Sequence, residues 1–303
     1  MVSAALIVWV TRKVNWADLT SVLGHVSPKW AAAGSVLTGA LITLLSVRWS
    51  IFLTQQAMAL PFRSIFLLTW AGQFFNSVLP GSTGGDFVKI YQVCKLIPGR
   101  RAAAASTVLI DRLSALAALA VLAGGALISE PAPLQALAGH TPPISWVIGA
   151  AALVLVGGAI LFRVLRPTLW FGRLQRTLAA VGDCLAPSWG LCSAVALSFA
   201  IHCLSFLTVF SFARSLGIGI TYLQTLQILP VVLILVLLPV TINGHGLREV
   251  ALIYFFTHLH IGIGGNPAVD VREAVVALSI LVIANDLLWS VPGGLAYMFR
   301  FKR

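Results

Sequence analysis

The sequence predicts an all-α polytopic membrane protein, and three observations support this. Of its 303 residues, 59% are hydrophobic and only 10% are charged, whereas soluble domains carry about a quarter charged residues. The mean hydropathy is +0.96. Several uncharged stretches also approach the roughly 20 residues that a membrane-spanning helix needs. We therefore expect one membrane domain over residues 1–303, and the composition excludes a soluble enzyme, a disordered chain and a nucleic-acid-binding protein.

About six spanning helices are expected. Three stretches contain no Asp, Glu, Lys or Arg: residues 30–47, 144–162 and 188–213. Arg48-Trp49 follows the first of them, and we interpret this pair as an anchor at the membrane interface.

Two further stretches are long enough to span but contain charge, residues 102–129 and 274–299. At the amino terminus, only ten apolar residues precede Arg12-Lys13. That segment is too short to span unless it extends through the polar residues after it or the true start lies upstream.

Two apolar segments, residues 64–95 and 222–258, are interrupted by Gly, Pro and polar residues. In each, a hydrophobic stretch reaches Leu-Pro, passes a Gly-containing linker, meets charge and returns as an apolar stretch. Irregular backbone at membrane depth is tolerated only where protein buries it or where it lines a wet cavity. We therefore predict two re-entrant, broken-helix hairpins.

The distribution of basic residues predicts the orientation. Lys and Arg gather in residues 95–101, in residues 163–176 and in the carboxyl-terminal tail, whereas residues 130–143 contain none. The positive-inside rule places the three basic regions on the cytoplasmic side. The two hairpins then enter from opposite faces, which is the pattern of an inverted-repeat transporter with its substrate site at the broken segments. We expect a protein of the cytoplasmic membrane with a cytoplasmic carboxyl terminus.

Ionisable side chains within the membrane are the candidate functional residues, because each costs about 2.5–3.5 kcal/mol to insert. One interpretation is structural: these groups neutralise each other, for instance Asp111 with Arg248 or Asp86 with Arg112, and fix helix packing. The set comprises Asp86, Lys89, Asp111, Arg112, Arg248, Glu249 and Asp286.

The other interpretation is that they bind a lipid headgroup. A phosphate needs Arg or Lys donors and free backbone N–H groups, which helix amino termini and Gly-rich turns provide. Lys89, Arg112 and Arg248 are then the candidate phosphate contacts. The acidic residues balance them, bind a cationic headgroup or carry a coupling proton.

No cofactor or metal is expected. The Gly-rich run at residues 81–85 lacks the Gly-Lys-Ser/Thr of a phosphate loop. His258 and His260 are two residues apart and point away from each other on a helix. No Ser, His and Asp set suggests hydrolysis, so we expect a protein that is not an enzyme.

Three motifs in order carry a resemblance to a known family. They are residues 76–86 (NSVLPGSTGGD) with Lys89, then Asp111-Arg112, then Leu238-Pro239 followed by Gly244, Gly246, Arg248 and Glu249. With these motifs the chain resembles the lysylphosphatidylglycerol synthase transmembrane-region family, a flippase-like membrane domain. It departs from the family in having Lys89 where Arg is frequent and in its short first helix.

The resemblance implies a protein that moves lipids across the bilayer, either aminoacylated phospholipids or glycolipid and polyprenyl-linked precursors. The chain ends directly after its last predicted span, so we expect a stand-alone member without the soluble aminoacyl-transferase domain. The residues expected to bind substrate are Asn76, Gly81, Gly84, Gly85, Asp86, Lys89, Asp111, Arg112, Asn243, Gly244, Arg248, Glu249 and Asp286.

The favoured function is translocation of a phospholipid or a lipid-linked or glycolipid precursor. The alternatives are a membrane accessory subunit of a lipid-modifying or glycosyl-transferring enzyme, and a purely structural scaffold. The expected partner is a membrane lipid with an anionic or sugar headgroup. The same reasoning leaves room for a lipid-synthesising enzyme or a second copy of the chain, and it assigns no role to nucleic acid.

Overall fold

The computed structural model describes residues 15–78, 84–129, 189–236, 246–263 and 270–301. In these residues it contains nine α-helices and no β-strand beyond one isolated bridge. The predicted all-α class is therefore confirmed. The predicted span at 144–162, the linkers of both predicted hairpins and the segment before residue 15 lie outside the described residues. The helices are α1 (Trp16–Gly24), α2 (Pro28–Gln55), α3 (Phe62–Val78), α4 (Gly84–Leu96), α5 (Arg101–Ser129), α6 (Trp189–Ser215), α7 (Tyr222–Val236), α8 (Leu247–His258) and α9 (Val271–Phe301).

Four of these helices, α2, α5, α6 and α9, are long and apolar enough to cross a membrane. They coincide with the four predicted spans that lie within the described residues. The predicted re-entrant segments instead each consist of two short helices, α3 with α4 and α7 with α8, none longer than 17 residues. A helix of 17 residues is about 25 Å long. In each segment the first helix ends, at Val78 and at Val236, shortly before the Leu-Pro described above.

Local sequence signals account for the helix ends. The Asn15 side chain accepts a hydrogen bond of 3.1 Å from the Ala17 backbone N–H and caps α1, which is a favoured role for asparagine. Pro28 occupies the first turn of α2, where its missing N–H has no helical partner to lose. After α6, Gly217 has a φ of +74° and the Ile218 N–H bonds the carbonyl of Ala213 at 3.0 Å, which closes the helix.

Helices α6–α9 repeat the order of α2–α5. The first four are 28, 17, 13 and 29 residues long, and the second four are 27, 15, 12 and 31 residues long. The corresponding helices α2 and α6 pack more extensively than any other pair of described helices. They run antiparallel, because Gly34 lies against Phe212 while Gly190 lies against Gln55. Antiparallel packing of corresponding helices of similar length is the arrangement that an inverted repeat produces, and the two broken segments predict such a repeat.

Each hairpin packs on a long helix of the other half. Helix α3 lies along α9, and α7 lies along α5. The Trp70 indole N–H donates to the carbonyl of Trp289 at 2.5 Å. Close approach is permitted by Gly293 and Gly294, which face Trp70 and Phe74. The two halves are therefore interlocked by their hairpins.

Two apolar clusters mark opposite ends of the bundle. The first surrounds Trp49 and joins the end of α2, the start of α3, the end of α4 and the start of α5. The second surrounds Phe212 and joins the end of α6 to α7, α8 and the start of α9. We call these the Trp49 end and the Phe212 end. The α3–α4 hairpin is anchored at the Trp49 end and the α7–α8 hairpin at the Phe212 end.

The interfacial interpretation of Arg48-Trp49 is wrong. Helix α2 continues to Gln55, and Arg48 and Trp49 are buried with 3% and 0% of their surface exposed. The Trp49 indole N–H donates to Thr107 at 3.3 Å. Arg48 is accommodated inside the bundle because a carboxylate of α5 pairs with it.

Helices α3 and α4 cross at two glycines. A Cβ atom on Gly85 would overlap the carbonyl group of Gly72. A Cβ atom on Gly72 would lie 3.3 Å from the Cε atom of Lys89. The close approach of the two helices therefore requires that Gly85 has no side chain, as in other close helix contacts in membranes.

Gly85→Ala is expected to destabilise the protein, because the added methyl group must push α3 and α4 apart at a cost of about 1–3 kcal/mol. The measurement is the midpoint of thermal unfolding in detergent. Gly124→Ala is the matched control, since a Cβ atom there meets nothing within 4 Å. Equal midpoints for the two variants would contradict the close glycine contact.

Candidate functional site

Five helices converge on a polar pocket of about 200 Å³, which we call the charged pocket. Helix α2 contributes Leu45 and Arg48, and α6 contributes Ile201 and His202. The remaining residues come from α3, α4 and α5. They are Thr69, Gly72, Gln73, Asn76, Asp86, Lys89, Asp111, Arg112 and Ala115.

The buried wall of this pocket is an ion pair between Arg48 and Asp111. The Arg48 Nε donates to the Asp111 carboxylate at 2.8 Å, and its Nη1 donates to the Ser198 hydroxyl at 3.1 Å. The two side chains expose only 3% and 11% of their surface. One guanidinium on α2 thus joins α5 and α6 in the interior of the bundle.

The outer wall contains a second ion pair, between Asp86 and Arg112. The Arg112 Nε donates to Asp86 at 2.7 Å, with 47% of the arginine and 18% of the aspartate side chain exposed. Asp86 lies in the first turn of α4, where a negative charge favours the helix dipole. The preceding residue, Gly85, donates its N–H to the Asn76 side chain at 2.8 Å and so ties the start of α4 to the end of α3.

Lys89 contributes a third cation. Its ammonium lies 4.9 Å from the centre of the Trp49 ring, which is within the range of a cation–π interaction. The pocket therefore contains one more cationic side chain than carboxylates, since Arg48, Lys89 and Arg112 face Asp86 and Asp111. An enclosed site of net positive charge is suited to an anion such as phosphate.

A larger apolar cavity of about 380 Å³ adjoins the charged pocket. The two share four lining residues, Leu45, Gln73, Ile201 and His202. His202 is held in place by a contact of 2.9 Å between its Nε2 and the carbonyl of Ala115. These four residues border both spaces, so a polar chamber opens beside an apolar one close to the α2–α6 contact.

The apolar cavity has two charged residues in its wall, Arg248 and Asp286. Arg248 donates to Glu249 at 3.1 and 3.2 Å. Glu249 in turn accepts the Gly246 N–H at 2.6 Å and thereby caps the start of α8. Gly246 has a φ of +90°, a backbone conformation that favours glycine.

Both halves carry charged residues on the hairpin and on the long helix that follows it. In the first half Asp86 lies on α4 and Arg112 on α5. In the second half Arg248 lies on α8 and Asp286 on α9.

The structure brings six of the predicted substrate-binding residues to or beside the charged pocket: Asn76, Gly85, Asp86, Lys89, Asp111 and Arg112. Gly84 is buried at the start of α4. Arg248 and Asp286 line the apolar cavity instead, and Glu249 caps α8. Gly81, Asn243 and Gly244 lie outside the described residues.

The predicted pairing of Asp86 with Arg112 is confirmed, whereas that of Asp111 with Arg248 is wrong, because Arg48 is the partner of Asp111. Sequence reasoning missed Arg48, Gln73 and His202. The sequence signal for Arg48 was weak. It follows an apolar stretch, but α2 begins at Pro28 and continues for seven residues past Arg48, so this arginine lies within the helix and not at its end. His202 was visible as the interruption of an otherwise apolar stretch.

In the described residues, no three His, Cys, Asp or Glu side chains are grouped to hold a metal ion. The cationic side chains of the charged pocket are two arginines and one lysine, which have N–H donors and no acceptor.

Comparison with known proteins identifies the family. The model of the family described as lysylphosphatidylglycerol synthase transmembrane region matches residues 1–271. The chain belongs to this family. It is also similar to the UPF0104 membrane protein MJ1595 of Methanocaldococcus jannaschii, with 25% identity over 114 residues that cover 37% of this chain and 34% of that protein. The alignment thus spans about a third of the relative's length. Family membership and the apolar helices together make this an integral, multi-pass membrane protein.

Asp111→Asn is expected to lower the thermal midpoint in detergent far more than Asp86→Asn, because it leaves the Arg48 charge buried without a counter-charge. Breaking a buried pair costs about 3–5 kcal/mol, whereas an exposed pair contributes about 0–1 kcal/mol. The double variant Arg48→Met/Asp111→Asn is expected to recover part of the loss, which a double-mutant cycle measures. Equal losses for Asp111→Asn and Asp86→Asn would contradict the structural role of the Arg48–Asp111 pair.

Proposed function

We propose that this protein translocates a lipid with an anionic or sugar headgroup across the cytoplasmic membrane. The observation that supports this most is the charged pocket of net positive charge opening directly beside an apolar cavity. A lipid has the same division into a polar and an apolar part. In this proposal the charged pocket receives the headgroup, and the apolar cavity receives the hydrocarbon next to it.

The cationic side chains have separate roles in the proposal. Lys89 is a point charge held above the Trp49 ring, and Arg112 offers a planar fork that can bind two phosphate oxygens. Arg48 is already committed to Asp111 and Ser198, so it sets the electrostatic potential of the pocket and positions its walls. Lys89 and Arg112 are the residues that contact the headgroup.

The inverted repeat supplies the two-sided architecture that translocation needs. One hairpin is anchored at the Trp49 end and the other at the Phe212 end, and such paired broken segments form the substrate sites of alternating-access transporters. The moved lipid keeps its covalent structure, so the proposed activity is transport without catalysis. We further propose that residues 1–303 act as one domain.

Charge at the two ends supports an orientation with the carboxyl terminus in the cytoplasm. Five described basic residues lie at the Trp49 end, and three, Lys29, Arg214 and Arg272, lie at the Phe212 end. By the positive-inside rule, the Trp49 end is then cytoplasmic. The basic residues of that end are Arg63, Lys95, Arg100, Arg101 and Arg300.

The test is reconstitution of the purified protein into liposomes that contain phosphatidylglycerol with a fluorophore on one acyl chain. Loss of fluorescence to a membrane-impermeant reductant measures movement between leaflets. Lys89→Gln and Arg112→Gln are each expected to lower the rate at least tenfold, because each removes a cation from the charged pocket.

Arg63→Gln is the matched control, since Arg63 is exposed near the start of α3 and does not line either cavity. It is expected to leave the rate within twofold of the parent. All three variants should match the parent in elution volume and thermal midpoint, so that a lost rate reflects the site. Unchanged rates for both Lys89→Gln and Arg112→Gln would overturn the assignment of the pocket.

A further inference from the structure

Asp86 on α4 and Arg112 on α5 form the outer wall of the charged pocket, at the outer surface of the bundle. We propose that the crevice between these two helices, closed by Asp86 and Arg112, is a lateral portal. Through it a lipid headgroup enters the charged pocket from the bilayer while most of the hydrocarbon stays outside. The portal rests on the proposed function and specifies the route that the substrate takes.

The depth of Arg112 is the first argument. Arg112 is eleven residues into α5, which places it about 17 Å along the helix and near the middle of a hydrocarbon core about 30 Å thick. Nearly half of its side chain is exposed. Arginines at this depth normally face a bundle interior or a wet cavity, so an exposed one indicates a place where polar groups reach the protein from the side.

The surroundings of the pair are apolar and exposed. On α4, Phe87 and Tyr91 are four residues apart and turned outward. On α5, Leu109 and Leu116 flank Arg112 three residues before and four residues after it, on the same face. A polar spot bordered on both sides by exposed apolar side chains matches a lipid whose headgroup is at the spot and whose chains lie against its borders.

The pair also connects this surface to the interior, because Asp86 and Arg112 both line the charged pocket. A headgroup phosphate that binds Arg112 takes the place of the Asp86 carboxylate, which now lies 2.7 Å away. Arrival of the anion would therefore separate the two side chains that close the crevice.

The size of the pocket explains why the hydrocarbon stays outside. Pockets that enclose a drug-sized ligand measure about 300–1,000 Å³, and the charged pocket measures only about 200 Å³. A two-chain lipid is larger than such a ligand. The pocket holds a headgroup, the neighbouring cavity holds at most the hydrocarbon closest to it, and the rest needs a side opening.

The portal is tested by blocking it in liposomes. In a background without native cysteines, Leu109→Cys places a thiol beside the crevice, and a bulky methanethiosulfonate reagent is attached before reconstitution. Val121→Cys is the control, because Val121 is more exposed, 62% against 43% for Leu109, and lies on the opposite face of α5 from Arg112.

Labelling at Leu109→Cys is expected to slow the movement of the fluorescent phosphatidylglycerol at least tenfold, and labelling at Val121→Cys less than twofold. Both labelled proteins must keep the elution volume and thermal midpoint of the unlabelled parent. Equal effects at the two positions, or no effect at Leu109→Cys, would overturn the portal.

A second measurement uses lipids that share a headgroup and differ in chain length. If the chains remain in the bilayer, the translocation rate should vary less than threefold across saturated chains of different length. A strong dependence on chain length would contradict the portal while leaving translocation intact. If the unlabelled protein moves no lipid at all, the proposed function fails and the portal fails with it.

Discussion

The buried ion pair between Arg48 and Asp111 is the interaction on which the interior arrangement depends. It joins α2 to α5, and through Ser198 it joins both to α6, so it fixes the three long helices that border the charged pocket. Burying two charges costs several kcal/mol per ion unless geometry and further hydrogen bonds offset it. Here the serine hydroxyl supplies one such bond. The pair also leaves Lys89 and Arg112 as the cations that face the open part of the pocket.

Much of the fold follows from composition and periodicity. Long, predominantly apolar stretches can do little in a bilayer except form spanning helices, and the described spans α2, α5, α6 and α9 coincide with such stretches. The ends of α3 at Val78 and of α7 at Val236 were predictable because Leu-Pro and a run of Gly and polar residues follow soon after each of them. Charge along α2 was harder to interpret, because Arg48 after an apolar stretch looks the same whether it reaches an interface or a buried acid. Only the tertiary position of Asp111 decides between these, and that position depends on how α5 packs.

The same limit applies to the site. The sequence indicated which residues are costly to bury, and Asp86, Lys89, Asp111 and Arg112 do gather in one pocket. It could not indicate that Arg248 and Asp286 belong to a different, apolar cavity, because assignment to a cavity depends on crossings between helices far apart in the chain. The order, lengths and packing of the helices are similar in the two halves, whereas their charged side chains differ.

Because each hairpin packs on a long helix of the other half, the two halves cannot assemble independently in the membrane. Helix α3 packs on α9, the last described helix, and α5 packs on α7. The glycines and the indole bond that hold α3 in place therefore form only after α9 has been synthesised. Until α9 inserts into the membrane, the first half of the described chain lacks a large part of its packing surface, and insertion of α9 completes it.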